Sequence, residues 1–161
     1  MRTLRLAAFL FVICSGAVPL PGQCNGPRSV QLASYGKTCA FFSHHATLSG
    51  SYDPRVCTLT LHLTIARTCC NTFPVTQLLA AGATPITPGA PLPMLVPGCV
   101  LSVLPVFVFA QPVSAGGIWK IPLPPVTAPV TVYFQGIDHY FTTIGMTHDY
   151  QTSNGLRVVL R

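Results

Sequence analysis

Nine consecutive residues, Cys57 to Ile65, carry an apolar side chain at every odd position and a polar one at every even position. Alternation with a period of two is typical of a β-strand that buries one face. The expected core side consists of Leu59, Leu61, Leu63 and Ile65, and the expected solvent side of Thr58, Thr60, His62 and Thr64. Because a slip of one residue would exchange the two faces, this pattern constrains both the strand and its register.

The chain is poor in glutamate and lysine, which helices use on their solvated faces. There is no glutamate among the 161 residues, and charged residues make up only 7%. Sixteen prolines and thirteen glycines interrupt the sequence too often for long helices. The composition therefore favours short strands joined by turns.

Further short strands are predicted from apolar or alternating segments. The candidates are residues 28–34, 75–81, 100–111, 118–121, 130–135, 140–147 and 156–160. Residues 100–111 are expected to be buried on both faces and broken or bulged at Pro105, and Asn154-Gly155 is expected to form a turn. Together they predict an all-β fold, an antiparallel β-sandwich of about seven to eight short strands.

Residues 84–98 contain five prolines and are expected to form an extended surface connection between the sheets. A proline-rich recognition ligand is the alternative. Leu92, Met94 and Leu95 offer apolar side chains that would pack such a connection onto the core.

The first seventeen residues match a secretory signal peptide, with two arginines, an apolar run and small residues before Val18. Residues 18–161 are then expected to form a single β-sandwich domain that is secreted or held at the cell surface. Lipidation at Cys14 is disfavoured because Ile13 precedes it. The longest later apolar run is too short for a membrane span.

An oxidising compartment makes the cysteines after the signal candidates for a disulfide framework. The six candidates are Cys24, Cys39, Cys57, Cys69, Cys70 and Cys99. Six cysteines allow fifteen pairings, so the spacing alone leaves connectivity open. For the adjacent Cys69 and Cys70, two separate structural disulfides are favoured over a redox pair or two zinc ligands.

Signatures of chemistry and of nucleic-acid binding are missing. The formal charge of +6 comes from scattered lysines and arginines, which argues against a nucleic-acid groove. The G-x-S-x-G motif of serine hydrolases is absent from the sequence. The acidic residues available for two-carboxylate glycoside hydrolysis are only Asp53, Asp138 and Asp149. The histidines, His44, His45, His62, His139 and His148, lack metal-ligand spacing and are expected at the surface. No catalytic residue, metal ligand or cofactor is predicted.

Three segments resemble small secreted β-sandwich modules of bacteria with large extracellular proteomes. They are the opening Tyr35-Gly36-Lys37-Thr38-Cys39, the central Gly98-Cys99-Val100-Leu101, and the final strands with Val132-Tyr133-Phe134-Gln135 and Ser153-Asn154-Gly155-Leu156-Arg157-Val158. The resemblance implies a β-sandwich of no established activity and a bridge between Cys39 and Cys99. The chain differs in its four other cysteines and in Asp138-His139-Tyr140, where such modules carry an aspartate-proline turn.

The leading hypothesis is a secreted, non-enzymatic β-sandwich with a structural or interaction role, its partner a cell-surface protein or a glycan. One alternative is a small extracellular hydrolase or metal-binding protein that uses loop histidines and aspartates; two of His44, His45, His139 and His148 converging with an aspartate would favour it. A second alternative is a carbohydrate-binding module, for which Tyr133, Tyr140 and Tyr150 would form a flat exposed row.

Overall fold

A computed structural model describes residues 24–41, 44–66, 72–143 and 145–161. The predicted signal peptide and the Cys69-Cys70 pair therefore lie outside the described residues. The described residues form eleven strands and one 3-10 turn, η1 (Val113–Ala115). The strands are β1 (Val30–Tyr35), β2 (Ala40–Phe41), β3 (His44–Asp53), β4 (Thr58–Ala66), β5 (Thr72–Gly82), β6 (Thr84–Ala90), β7 (Leu101–Leu104), β8 (Phe107–Pro112), β9 (Ile118–Pro122), β10 (Val130–Thr142) and β11 (Thr147–Leu160).

These strands build three antiparallel sheets. The larger sheet has the order β1-β11-β10-β5-β8, the smaller sheet β2-β3-β4-β9, and β6 pairs with β7 in a two-stranded sheet. The first two sheets pack face to face, which confirms the predicted all-β antiparallel sandwich. The strands are more numerous than the seven or eight predicted.

The core between the two larger sheets is centred on β4, as its alternation predicted. Leu59, Leu61 and Leu63 are almost fully buried, whereas His62 and Thr64 are exposed. The three leucines belong to a cluster that also contains Leu48, Leu79, Phe134, Leu156 and Val158 from β3, β5, β10 and β11. Each buried aliphatic side chain of this size stabilises the fold by roughly 1.5–3 kcal/mol.

The predicted turn at Asn154-Gly155 is wrong. Both residues lie inside the long strand β11, and Gly155 pairs with Tyr35 on β1 and with Gln135 on β10. The hairpin turn instead follows Thr142 and precedes Thr147, where a continuous strand over 140–147 was expected. Asn-Gly is a local turn signal, but here two neighbouring strands supply ladder partners that a turn would forgo.

Buried amide side chains connect β11 and β10 to other parts of the fold. Asn154 accepts a hydrogen bond from the Leu48 amide at 2.9 Å and donates one to the Leu48 carbonyl at 3.0 Å. Gln135 accepts from the Ser102 amide at 2.7 Å and donates to the carbonyls of Val100 and Ser153. These side chains satisfy backbone groups that would otherwise be costly to bury.

The proline-rich stretch is more regular than expected, since Thr84–Ala90 forms strand β6. Among the described strands it pairs with β7 alone, and the register is irregular between Pro85 and Ala90. Proline is tolerated at such positions because an edge strand leaves one side of its backbone unpaired. The prediction of a connection without strand structure is therefore wrong for this part, while Leu95 does pack against buried residues.

The segment 100–111 also differs from the prediction. Pro105 separates β7 from β8, as expected for a strand breaker. However, β8 lies at the edge of the larger sheet, and Val106 and Val108 are more than half exposed. Burial on both faces thus applies to β7, whose Val103 is fully buried, and not to β8.

Two disulfides join distant parts of the described chain. Cys39 is bonded to Cys99, the pairing that the family resemblance implied, and Cys24 is bonded to Cys57. Cys39 and Cys99 are buried with Val96 and Tyr140 in a second, smaller core cluster. The two bridges account for four of the six candidate cysteines, and the expected disulfides of Cys69 and Cys70 lie outside the described residues.

Candidate functional site

The hairpin of β10 and β11 brings aromatic and histidine side chains onto one face. His139 lies directly opposite Tyr150, and Phe141 lies directly opposite His148. Directly paired residues, and residues two apart on one strand, share a face of a sheet. On the other side of β10, Phe73 of β5 lies opposite Phe141. We call these five residues (Phe73, His139, Phe141, His148 and Tyr150) the aromatic–histidine surface.

The four rings that β10 and β11 contribute to this surface are in contact with one another. The His139 ring stacks on the Tyr150 ring with centroids 4.4 Å apart and planes 6° from parallel. His148 packs at a tilt against both Phe141 and His139, with centroids 5.2 Å apart in each case. Stacked and tilted aromatic pairs of this kind contribute roughly 0.5–1.5 kcal/mol beyond the area they bury. The four hairpin rings therefore support one another's positions.

Part of this face is open to solvent. Phe73 is 59% exposed, and His148 is also exposed, whereas His139, Phe141 and Tyr150 are half-buried. Met146, in the turn between the two strands, is 73% exposed. Aromatic side chains exposed on one face of a sheet are typical of surfaces that bind a partner.

The two histidines meet through their ring nitrogens. His139 Nε2 and His148 Nδ1 are 3.0 Å apart, a hydrogen-bond distance that requires one ring to donate and the other to accept. Partial burial, and then the charge of His148, lower the pKa of His139, while Asp138 acts in the opposite direction. At neutral pH the pair thus holds at least one uncharged imidazole with a nitrogen lone pair.

Both neighbouring aspartates lie on the opposite face of the hairpin. Asp138 and Asp149 alternate with the histidines along β10 and β11, so their side chains point the other way. Asp149 accepts hydrogen bonds from the hydroxyls of Thr142 and Thr147, both at 2.9 Å, and Asp138 is almost fully buried. This arrangement does not give the histidine–aspartate pocket that the hydrolase alternative requires.

The remaining predicted residues are scattered. His62 is exposed on β4 and His45 on β3, and Asp53 accepts a hydrogen bond from the Arg55 amide. The side chain of His44 is outside the described part of the structure. Among the described side chains, histidines therefore come together only at His139 and His148, a contact that their spacing did not predict.

The flat row of tyrosines expected for carbohydrate binding does not form. Tyr140 is buried in the smaller core cluster, and Tyr133 packs edge-on against Tyr35 with ring centroids 5.5 Å apart. Tyr150 belongs to the aromatic–histidine surface on a different stretch of the sheet. Tyr140 follows His139 along β10, so it lies on the face opposite to that of His139 and its cross-strand partner Tyr150.

A separate cleft lies where β9 stops pairing with β4. Its volume is about 290 Å³, and its lining includes His62, Thr64 and Ile65 of β4, Gln77 of β5 and Val113 of η1. Gln77 is buried. The cleft brings together one exposed histidine with neutral and apolar groups, so it presents no acid–base pair.

Sequence reasoning missed Phe73 and Phe141 as members of the surface. The spacing of His139 with Phe141, and of His148 with Tyr150, placed each pair on one face of a strand once a strand was assigned. The contact between the two pairs depends on the hairpin register and could not be predicted from spacing.

No protein-family model, curated protein or solved structure matches this chain. The fold class and the surface therefore rest on the chain's own geometry: a disulfide-bridged antiparallel β-sandwich with an exposed aromatic–histidine surface. Among the described residues, no three or more histidine, cysteine or acidic side chains cluster as metal ligands. That same part of the chain contains no helix long and apolar enough to cross a membrane.

Proposed function

We propose that this protein is a secreted, non-enzymatic β-sandwich that acts at the cell surface as an interaction module. The aromatic–histidine surface is the observation that carries the proposal. It presents a partly exposed set of rings on strands, and the strands hold those rings in fixed positions. Aromatic residues are enriched among the side chains that dominate binding energies in protein interfaces.

The two disulfides support an extracellular location. Cys24–Cys57 and Cys39–Cys99 are structural bridges of the kind that persist in oxidising compartments. The signal-peptide pattern at the N-terminus gives the route to such a compartment. One bridge joins the segment before β1 to the turn before β4, and the other joins the segment after β1 to the segment before β7. Such cross-links stabilise a small domain against the changing conditions outside the cell.

The test is retention of the protein on the cells that secrete it. The full chain, carrying a C-terminal epitope tag, is expressed with Phe73→Asp and compared with the unmodified sequence. We expect both proteins to be exported, and the cell-bound fraction of the variant to fall by about tenfold or more, as for loss of a dominant interface residue.

Val108→Asp is the matched control, because Val108 is 54% exposed, close to the exposure of Phe73, and lies on the edge strand β8. It introduces the same charge at a different surface and is expected to leave retention unchanged. Retention of the chain in the cytosol, or an equal loss for both variants, would contradict the proposal.

A further inference from the structure

The two histidines of the aromatic–histidine surface have an arrangement that the interaction role does not explain. Their facing nitrogens, His139 Nε2 and His148 Nδ1, come from different strands and are 3.0 Å apart at a partly exposed position. We propose that His139 and His148 chelate a late first-row divalent metal ion through these two nitrogens, with Cu²⁺ bound most tightly. The proposal is independent of the interaction role.

The separation of the nitrogens suits two neighbouring ligands of one ion. With metal–nitrogen bonds of about 2.0–2.1 Å, a 3.0 Å separation corresponds to a nitrogen–metal–nitrogen angle of about 94°. Neighbouring positions of a tetragonal Cu²⁺ or Ni²⁺ site are close to a right angle. A tetrahedral angle corresponds to a separation of about 3.3 Å, which a rotation of His148 also reaches, so the preference for Cu²⁺ rests on the order of affinities and not on this distance.

The chemistry of the donors favours the same ions. Both ligands are imidazoles, which suit copper, nickel and zinc, and Cu²⁺ has the highest affinity in the usual order of divalent ions. The nearest carboxylates, Asp138 and Asp149, lie on the opposite face, so the pair lacks the oxygen ligands that Mg²⁺ and Ca²⁺ require.

The surrounding rings preorganise the pair. Stacking on Tyr150 fixes the plane of the His139 ring, and Phe141 packs against His148. The ion lies beside the line that joins the two nitrogens, so both imidazoles must rotate toward it, His139 within the plane of its stack on Tyr150. His148 is exposed and can make this rotation, and its exposure gives water access to the remaining coordination positions.

Metal binding needs no other reactant, because the proton of the hydrogen-bonded pair can stay on the same ring. In the metal-free pair, one ring carries a proton on the nitrogen that faces its partner. That proton moves to the other nitrogen of the same ring, and both facing lone pairs then bind the ion. A neutral pair therefore needs to release no proton to solvent when it binds the metal.

The experiment titrates CuCl₂ into the full chain, purified without a histidine tag and with free thiols alkylated. Calorimetry with glycine as competitor gives stoichiometry and Kd, and electron paramagnetic resonance counts the coordinated nitrogens. We expect one high-affinity Cu²⁺ per chain. We expect His139→Gln and His148→Gln each to raise Kd by at least about tenfold, since even loss of an outer-shell partner costs 10- to 100-fold, and to remove one nitrogen from the spectrum.

His62→Gln is the control, because His62 is an exposed histidine on β4 outside this surface. It should leave Kd and the spectrum unchanged. Circular dichroism of each variant checks the fold, and His148→Gln changes only an exposed side chain. The proposal is overturned if the wild type shows no saturable site, or if the two substitutions change Kd less than twofold. It is equally overturned if His62→Gln weakens binding as much as they do.

Discussion

Replacing Asn154 with alanine should destabilise the fold severely, although the sequence pattern would place this residue in a tolerant turn. Its side chain accepts from the Leu48 amide and donates to the Leu48 carbonyl at 2.9 and 3.0 Å. On the side of β3 away from β4, the described residues of β2 pair with His44 and His45 and do not reach Leu48. Asn154 therefore provides Leu48 with the hydrogen bonds that a neighbouring strand would give.

The expected loss follows from the two backbone groups left without partners. Leu48 is almost fully buried, and each orphaned donor or acceptor costs about 1–3 kcal/mol, so Asn154→Ala should lose about 3 kcal/mol. This is a large share of the stability of a typical domain, about 5–15 kcal/mol. It corresponds to a fall in Tm of about 10 °C.

Urea unfolding with both disulfides intact measures the loss. Asn25→Ala is the control, because Asn25 is exposed and should change the free energy of unfolding by less than about 0.5 kcal/mol. Asn154→Asp keeps the side-chain size but removes the amide donor, so it separates hydrogen bonding from packing and should also be costly. A loss below about 0.5 kcal/mol in Asn154→Ala would refute the bridging role of this residue.

Two further predictions concern the second core cluster and the histidine pair. Replacing both Cys39 and Cys99 with alanine should lower the free energy of unfolding by about 4 kcal/mol, because the bridge closes a loop of 60 residues and so reduces the entropy of the unfolded chain. A loss below about 1 kcal/mol in urea titrations would reject this contribution. In the metal-free protein, NMR titration should place the pKa of His139 below its ordinary value of 6.5, and His148→Gln should raise it. With this lower pKa in the folded state, the unfolded chain binds a proton at His139 more readily than the folded chain. The free energy of unfolding should therefore fall as pH falls through 6.5. A His139 pKa at or above 6.5 would contradict the reasoning.

The sequence alone determined the fold class and the central strand. The alternation from Cys57 to Ile65 identified β4 and its buried face correctly, since a period of two reports directly which side chains leave water. The absence of glutamate and the frequent prolines and glycines also excluded long helices, because helix propensity is a property of each residue and needs no distant partner. Pro105 marked the break between β7 and β8, because a missing amide is a property of the residue itself.

The tertiary structure decided what depends on partners far along the chain. Asn154-Gly155 carries a turn signal, yet β1 and β10 pair with this segment from both sides and Leu48 engages the asparagine amide. Local propensity cannot anticipate these contacts, because their partners are far away along the chain. Once the contacts form, the free energy of satisfying buried backbone groups exceeds the preference for a turn.

The same limit applies to the aromatic–histidine surface. His139 and His148 are nine residues apart on different strands, and only the hairpin register brings their nitrogens to 3.0 Å. The sequence supplied the residue types and, through strand alternation, the face on which each lies. The pairing of strands decided which of those faces meet, because register is set jointly by the buried pattern of both strands and by the turn between them.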